Sequence, residues 1–165
     1  FVKVHEKHPD YDLKLYGGDS FDGTWEQLEE IIRKNHAEDY IRLMGGSDSL
    51  EKELPKASVY AFSSDYEGMP NALIEAMALG MPVVATDCPC GGPRTLITHA
   101  KNGLLIPVGG EKAMEEAVNR LIEDRDFAEE LGEEARKISN RVDGASVLAQ
   151  WKEYIEKVLA AYQKQ

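Results

Sequence analysis

The sequence predicts an α/β fold: a doubly wound, mostly parallel sheet flanked by helices. Three observations carry that prediction. Short β-rich runs alternate with helical patterns along the 165 residues, and the connections between them are short. The central stretch from Val59 to Ala85 reads in one pass as strand, polar loop, helix and strand. No internal repeat, low-complexity tract or flexible linker interrupts the alternation.

The elements follow in order. Phe1 to His8 reads as the tail of a helix stopped by Pro9. Asp12 to Tyr16 alternates into a strand that ends at Gly17-Gly18. From about Thr24 to His36, Trp25, Leu28, Ile31 and Ile32 recur at helical spacing with acids between them. Ile41 to Met44 is a short strand closed by Gly45-Gly46. Ser47 or Asp48 is placed to cap a short helix through Leu54, ended by Pro55. The two Gly-Gly pairs fall at strand ends, yet neither fits Gly-x-Gly-x-x-Gly or the Walker pattern. They read as tight turns.

Val59 to Phe62 leads into the central helix, whose punctuation is clear. Pro70 suits the first helical position or the turn before it, and Asn71 is placed to cap. Gly80 fits a left-handed stop, and Pro82 bars continuation. Pro82 to Ala85 supplies the next strand, and Cys90 to Ile97 a glycine-rich loop feeding a short helix. Gly103 to Val108 is the last core strand. Amphipathic helices follow from Glu111 to Asp124 and from Phe127 to Ile138. A final helix from Ser146 to Tyr162 carries Val147, Leu148, Trp151, Tyr154, Ile155, Val158 and Leu159, a stripe read first as a core-facing surface.

Length makes residues 1–165 one domain with room for a substantial core. The formal charge of −11, without a basic stripe, argues against a nucleic-acid binder but leaves a nucleotide ligand open. No apolar run reaches the length of a membrane span, and no secretory signal pattern is present, so a cytoplasmic location is expected. Cys88 and Cys90 are too few for a structural zinc site and read as reduced thiols.

One residue in the central helix is out of place. From Ala72 to Leu79 every residue is apolar except Glu75. A helix apolar all round is usually buried, and an unpaired buried carboxylate costs several kcal/mol or more. Glu75 should therefore have a partner. A ligand at the carboxyl edge of the sheet would serve; the alternative is a neighbouring Arg, or escape to solvent. Eight residues earlier, Glu67 stands in the loop at that edge, followed by Gly68, which allows close backbone approach.

The run Glu67-Gly-Met-Pro-Asn-Ala-Leu-Ile-Glu75-Ala-Met-Ala-Leu-Gly-Met-Pro-Val-Val-Ala-Thr resembles the paired-glutamate signature of retaining nucleotide-sugar glycosyltransferases of family 4. Asn102 to Val108 downstream adds to the likeness. Those enzymes have two Rossmann-like domains, the GT-B architecture. The resemblance implies the C-terminal, donor-binding half of such an enzyme, truncated at its N-terminus, with the acceptor-binding domain absent. It implies a nucleoside diphosphate sugar as donor, a UDP-sugar first among the candidates, and no metal; retention rests on the family alone. A place on the inner membrane face is open to the intact enzyme, and because the family's final helix commonly crosses back to the other domain, the resemblance implies that part of the Ser146 to Tyr162 helix is exposed here.

Residue by residue, the resemblance puts Glu67 at the donor sugar as the catalytic carboxylate, and Glu75 at the ribose hydroxyls. The backbone of Gly68, Met69 and Pro70 would line the sugar, and the helix start at Pro70, Asn71 and Ala72 would meet the diphosphate. Gly17 and the loop near Met44-Gly45 would face the nucleotide. The family's phosphate-binding Arg and Lys lie in a βα unit that no position here matches, so the chain alone is expected to bind donor weakly and transfer nothing. Similar enzymes usually have Glu where this chain has Thr95. Two other readings compete: a non-catalytic nucleotide- or phosphate-binding Rossmann-like module, and half of a sugar-nucleotide epimerase.

Overall fold

The computed structural model describes residues 1–19 and 21–163. Its centre is β4 (Val83–Thr86), a run of β-branched and small residues buried on both faces. Such a strand needs neighbours on each side and helices above and below. It has them: β4 pairs in parallel with β3 (Tyr60–Phe62) and β5 (Leu104–Ile106).

The pleat sends alternate residues of β4 into two cores. Val83 and Ala85 join Leu73, Ala76 and Met77 of α4 (Asn71–Ala78), with Leu96 of α5 (Gly92–Leu96). Val84 joins Val4 of α1 (Val2–Lys7), Val118, Leu121 and Ile122 of α6 (Glu111–Glu123), and Leu131 of α7 (Arg125–Arg136). Helices therefore cover both faces, as the sequence predicts. Asp124 separates α6 from α7, and its carboxylate accepts from Phe127 N–H.

The remaining strands form a second sheet. β1 (Leu13–Tyr16) and β2 (Ile41–Gly45) pair in parallel, joined by the amphipathic α2 (Thr24–Lys34). No ladder joins β1 to β3 among the described residues, so each keeps one open edge. Their starts meet the same core, since Tyr11 and Val59 both pack against the cluster that holds Val84 and Val4. Between β2 and β3 the chain forms α3 (Leu50–Glu53), which runs into a 3-10 turn (Leu54–Lys56). Pro55 sits inside that turn rather than ending the helix, and Ser49 takes the cap position in place of Ser47 or Asp48.

Two sequence expectations fail here. The cap of α4 is Pro70, with Asn71 already helical. More consequentially, α9 (Gly144–Tyr162) buries none of its residues, and Leu148 and Trp151 are 70% and 60% exposed. The chain turns extended at Asp143, after α8 (Ser139–Val142), and α9 packs against α8 rather than on the sheet. It forms on local terms, through the Asp143 cap and the Glu153–Lys157 pair one turn apart.

One contact fixes α4 against α7. Gly80 takes φ +77° to end α4, and Gly132 of α7 crosses it so closely that a Cβ there would lie 2.3 Å from Gly80 O. Alanine in a helix gains about 1 kcal/mol over glycine, but overpacking against backbone costs roughly 1–3 kcal/mol. The clash wins. Gly132→Ala should lower stability in urea unfolding, whereas Gly144→Ala, with open space around it, should not. Equal midpoints for the two variants would remove this contact from the account.

Candidate functional site

The loop from Ser63 to Pro70 leaves the carboxyl end of β3 and enters α4. Proline has no capping side chain, and no other side chain caps this helix. The first N–H groups of α4, at Asn71, Ala72 and Leu73, thus lack intrahelical acceptors and carry the positive end of the dipole. Leu73 is buried, Ala72 half-buried and Asn71 exposed.

Glu75 lies one turn beyond Asn71, on the same side of α4, and is exposed. This corrects the expectation of a buried carboxylate. Leu73, Ala76 and Met77 face the core, and the solvent side of the helix is narrow but present. No ion pair reaches Glu75 among the described residues, so of the alternatives it is solvent, not an Arg, that it meets.

Glu67 is half-buried at the mouth of the loop, and its Oε1 accepts from the Ser64 hydroxyl at 2.9 Å. Gly68 and Met69 are exposed beside it. Gly68 does not use a positive φ; a Cβ there would meet nothing within 4 Å, so its contribution is open space. Its carbonyl, in contrast, is tightly packed. Gly92 backs onto it, and a Cβ on Gly92 would fall 1.7 Å from Gly68 O. The loop after β4 thereby props the loop after β3, and the Cys90 thiol adds a bond to the Tyr66 hydroxyl at 2.9 Å.

Tyr60 of β3 belongs to this site, although in sequence it reads only as a strand residue. Burial raises its hydroxyl, and the charges of Glu75 and then Glu67 raise it further, to about 12. One phenol thus senses both carboxylates. Gly17 stands apart, on the other sheet at the end of β1, where its N–H donates to Gly45 O at 3.0 Å. The Asn102-Gly103 turn is structural: the Asn102 side chain accepts from Thr98 N–H and donates to Leu96 O. Thr95, at the position of the family's usual Glu, spends its hydroxyl on Gly92 O at 2.7 Å.

An open cleft of about 630 Å³ adjoins the loop, lined by Asp65, Asp87, Pro89 and Leu105 to Val108, but neither Glu67 nor Glu75 lines it. Arg94 grips Asp87 there with two bonds of 2.8 and 2.6 Å, which hold the Asp87 carboxyl below its usual range. Both cysteines are free thiols, as expected. No helix is long and apolar enough to cross a membrane among the described residues.

The fold and this edge define a Rossmann-like α/β domain, the class in which ligands bind beyond the carboxyl ends of the strands. The chain belongs to the glycosyl transferases group 1 family, whose model matches residues 1–138. An exopolysaccharide phosphotransferase of Streptomyces coelicolor is 32% identical over 97% of this chain and 17% of its own length. The GtfA subunit of the UDP-N-acetylglucosamine–peptide N-acetylglucosaminyltransferase of Streptococcus pneumoniae is 28% identical over 96% of this chain and 32% of its own. The crystal structure of that pneumococcal transferase with UDP and GlcNAc matches at TM-score 0.80, over 96% of this chain and 31% of that one. Anabaena HepE in complex with UDP matches at 0.86 and 23% identity, over 94% and 44%, a likeness of fold alone. The solved neighbours are GT-B glycosyltransferases, so the expected architecture is borne out. This chain spans less than half the length of each of these three proteins.

Two measurements check the geometry. Alkaline titration of tyrosinate absorbance should show a late step near pH 12 that Tyr60→Phe abolishes. Glu75→Gln and Glu67→Gln should each bring that step down. The sign for stability follows: the unfolded chain releases this proton near pH 10, so the folded form loses stability as pH rises from about 10 to about 12. A late step indifferent to both substitutions would separate Tyr60 from the carboxylates.

The second concerns the prop. Gly92→Ala should cost roughly 1–3 kcal/mol and shift the amide resonances of residues 67–71, across the loop from the substitution. Shifts confined to residues near 92 would show that the two loops are independent.

Proposed function

We propose that this chain is the donor-binding domain, residues 1–165, of a retaining family 4 glycosyltransferase that transfers a sugar from a nucleoside diphosphate sugar. The observation that carries the reading is the uncapped start of α4, with Asn71 and Glu75 on its exposed side and Glu67 at its mouth. The free N–H groups at Asn71 and Ala72 suit the diphosphate. Glu75, exposed and unpaired, accepts hydrogen bonds from the ribose hydroxyls. Glu67 holds the sugar's hydroxyls and stabilises positive charge as the glycosidic bond breaks. Gly68, Met69 and Pro70 border the sugar, and Gly17 the nucleotide.

A UDP-sugar is the donor proposed, without a metal; the pneumococcal relative, solved with UDP and GlcNAc, supports that choice. The acceptor-binding domain and the cations for the leaving diphosphate belong to other parts of the same cytoplasmic protein. The open edges of β1 and β3 support a further strand between the sheets. On its own the chain binds donor weakly and does not turn over.

Calorimetric titration of this chain with UDP and with UDP-sugars tests the reading. Glu75→Gln should weaken UDP and UDP-sugar alike, without loss of melting temperature, because it breaks no ion pair. Glu67→Gln should spare UDP and erase the extra affinity of the UDP-sugar. In the intact enzyme Glu67→Gln should cut turnover by about a hundredfold, as when a preorganised electrostatic group is lost. Loss of UDP affinity in Glu67→Gln, with the sugar's contribution intact, would refute the assignment.

A further inference from the structure

Glu67 does not stand alone in its loop. Its Oε1 accepts from the Ser64 hydroxyl at 2.9 Å, and its Oε2 has no partner among the described residues. Ser64 is itself tied down: the Thr86 hydroxyl donates to the Ser64 carbonyl, across a sequence separation of 22 residues. Thr86 is 3% exposed and closes β4, the strand buried on both faces. A buried hydroxyl needs a partner, and the one it finds is the backbone of the loop. The order of support runs from the rigid centre of the sheet, through Thr86 and Ser64, to one oxygen of Glu67. The other oxygen is left to the open side.

We propose that Ser64 and Thr86 are positioning residues that hold the Glu67 carboxylate in one rotamer before the sugar arrives, with Oε2 presented to it. This rests on the assignment of Glu67 to the donor sugar. A free glutamate side chain samples many rotamers, and ordering it on binding weakens the complex. A bond from Ser64 removes part of that cost in advance. The Ser64 hydroxyl donates to the carboxylate only while the loop keeps its backbone in place, and Thr86 keeps it there. The geometry separates this role from a purely structural one, because the Ser64 hydroxyl contacts the loop's functional side chain and not the core.

The test uses this chain with Ser64→Ala, Ser64→Thr and Thr86→Val. Three-bond couplings at Glu67 read its χ1 population, and calorimetry reads the ratio of UDP-sugar to UDP affinity. Unchanged Ser64 should give one dominant rotamer, and Ser64→Ala an averaged one with the affinity ratio down about fivefold, the worth of one hydrogen bond. UDP affinity and melting temperature should hold. Ser64→Thr should restore rotamer and ratio, and Thr86→Val should lower both part-way. An unaveraged Glu67 in Ser64→Ala overturns the proposal, whatever the affinities do. So does a parallel fall in UDP affinity, UDP-sugar affinity and stability, which marks Ser64 as structural. If Ser64→Ala averages Glu67 but Glu67→Gln leaves the ratio unchanged, the positioning exists and the sugar assignment is what fails, taking the proposal's purpose with it. Absence of UDP-sugar binding overturns both.

Discussion

The structure depends on two places where backbone lies directly on backbone, one at each end of α4. At its entrance Gly92 lies against the carbonyl of Gly68; at its exit Gly132 lies against the carbonyl of Gly80. Neither approach admits a Cβ. Arg136 strengthens the exit by donating to Leu79 O at 2.9 Å, a cation at the negative end of the helix dipole. An eight-residue helix has too few internal hydrogen bonds to fix its own position. Clamped at both ends, it cannot slide along the sheet, and its unsatisfied N–H groups stay aimed at one spot. The function proposed for the edge is only as precise as those two contacts.

β4 supplies the fixed reference for that clamp. Because both its faces are buried, its side chains have one arrangement, and loops leaving its carboxyl end inherit that order. Thr86 and Asp87, consecutive in sequence, carry it outward in two directions. Thr86 holds Ser64 on the β3 side, and Asp87 holds Arg94 of α5. The β1–β2 pair lacks such an anchor: its strands are half-buried or exposed, and among the described residues β1 pairs with β2 alone. Gly17 is therefore the site candidate least fixed by the rest of the molecule.

Most of the fold was legible because its signals are local. Strand runs, glycine stops and helical spacing each act over a few residues, and β1 to β5 fall where the sequence puts them. The misreadings share another cause. A helix apolar all round predicts a buried Glu75, but a helix lying on a sheet always keeps one side away from it. The stripe of α9 has the spacing of a core helix, and spacing does not say whether a partner surface is within reach; after Asp143 the chain simply leaves the sheet. Ser64 and Thr86 were missed because their bond spans 22 residues and links a side chain to a carbonyl, which leaves no mark in residue type. Ser64, three residues before Glu67, offered the one local hint.

The two glutamates differ more in the structure than in the sequence. Glu67 is half-buried and held by one oxygen, so a ligand meets a carboxylate already oriented. Glu75 is exposed and has no tether among the described residues, so it must be ordered when a ligand binds. Preorganised charge is what lowers a barrier, whereas an adaptable acceptor suits recognition of hydroxyls. Tyr60 feels the charge of both. Its hydroxyl stays protonated far above neutrality because burial disfavours the phenolate, and the charges of Glu75 and then Glu67 disfavour it further. The site therefore keeps a neutral phenol within reach of two carboxylate charges over the whole physiological range. That is a chemically sensible lining for a ligand made of hydroxyls and phosphates, since it offers polarity without adding to the negative charge already there.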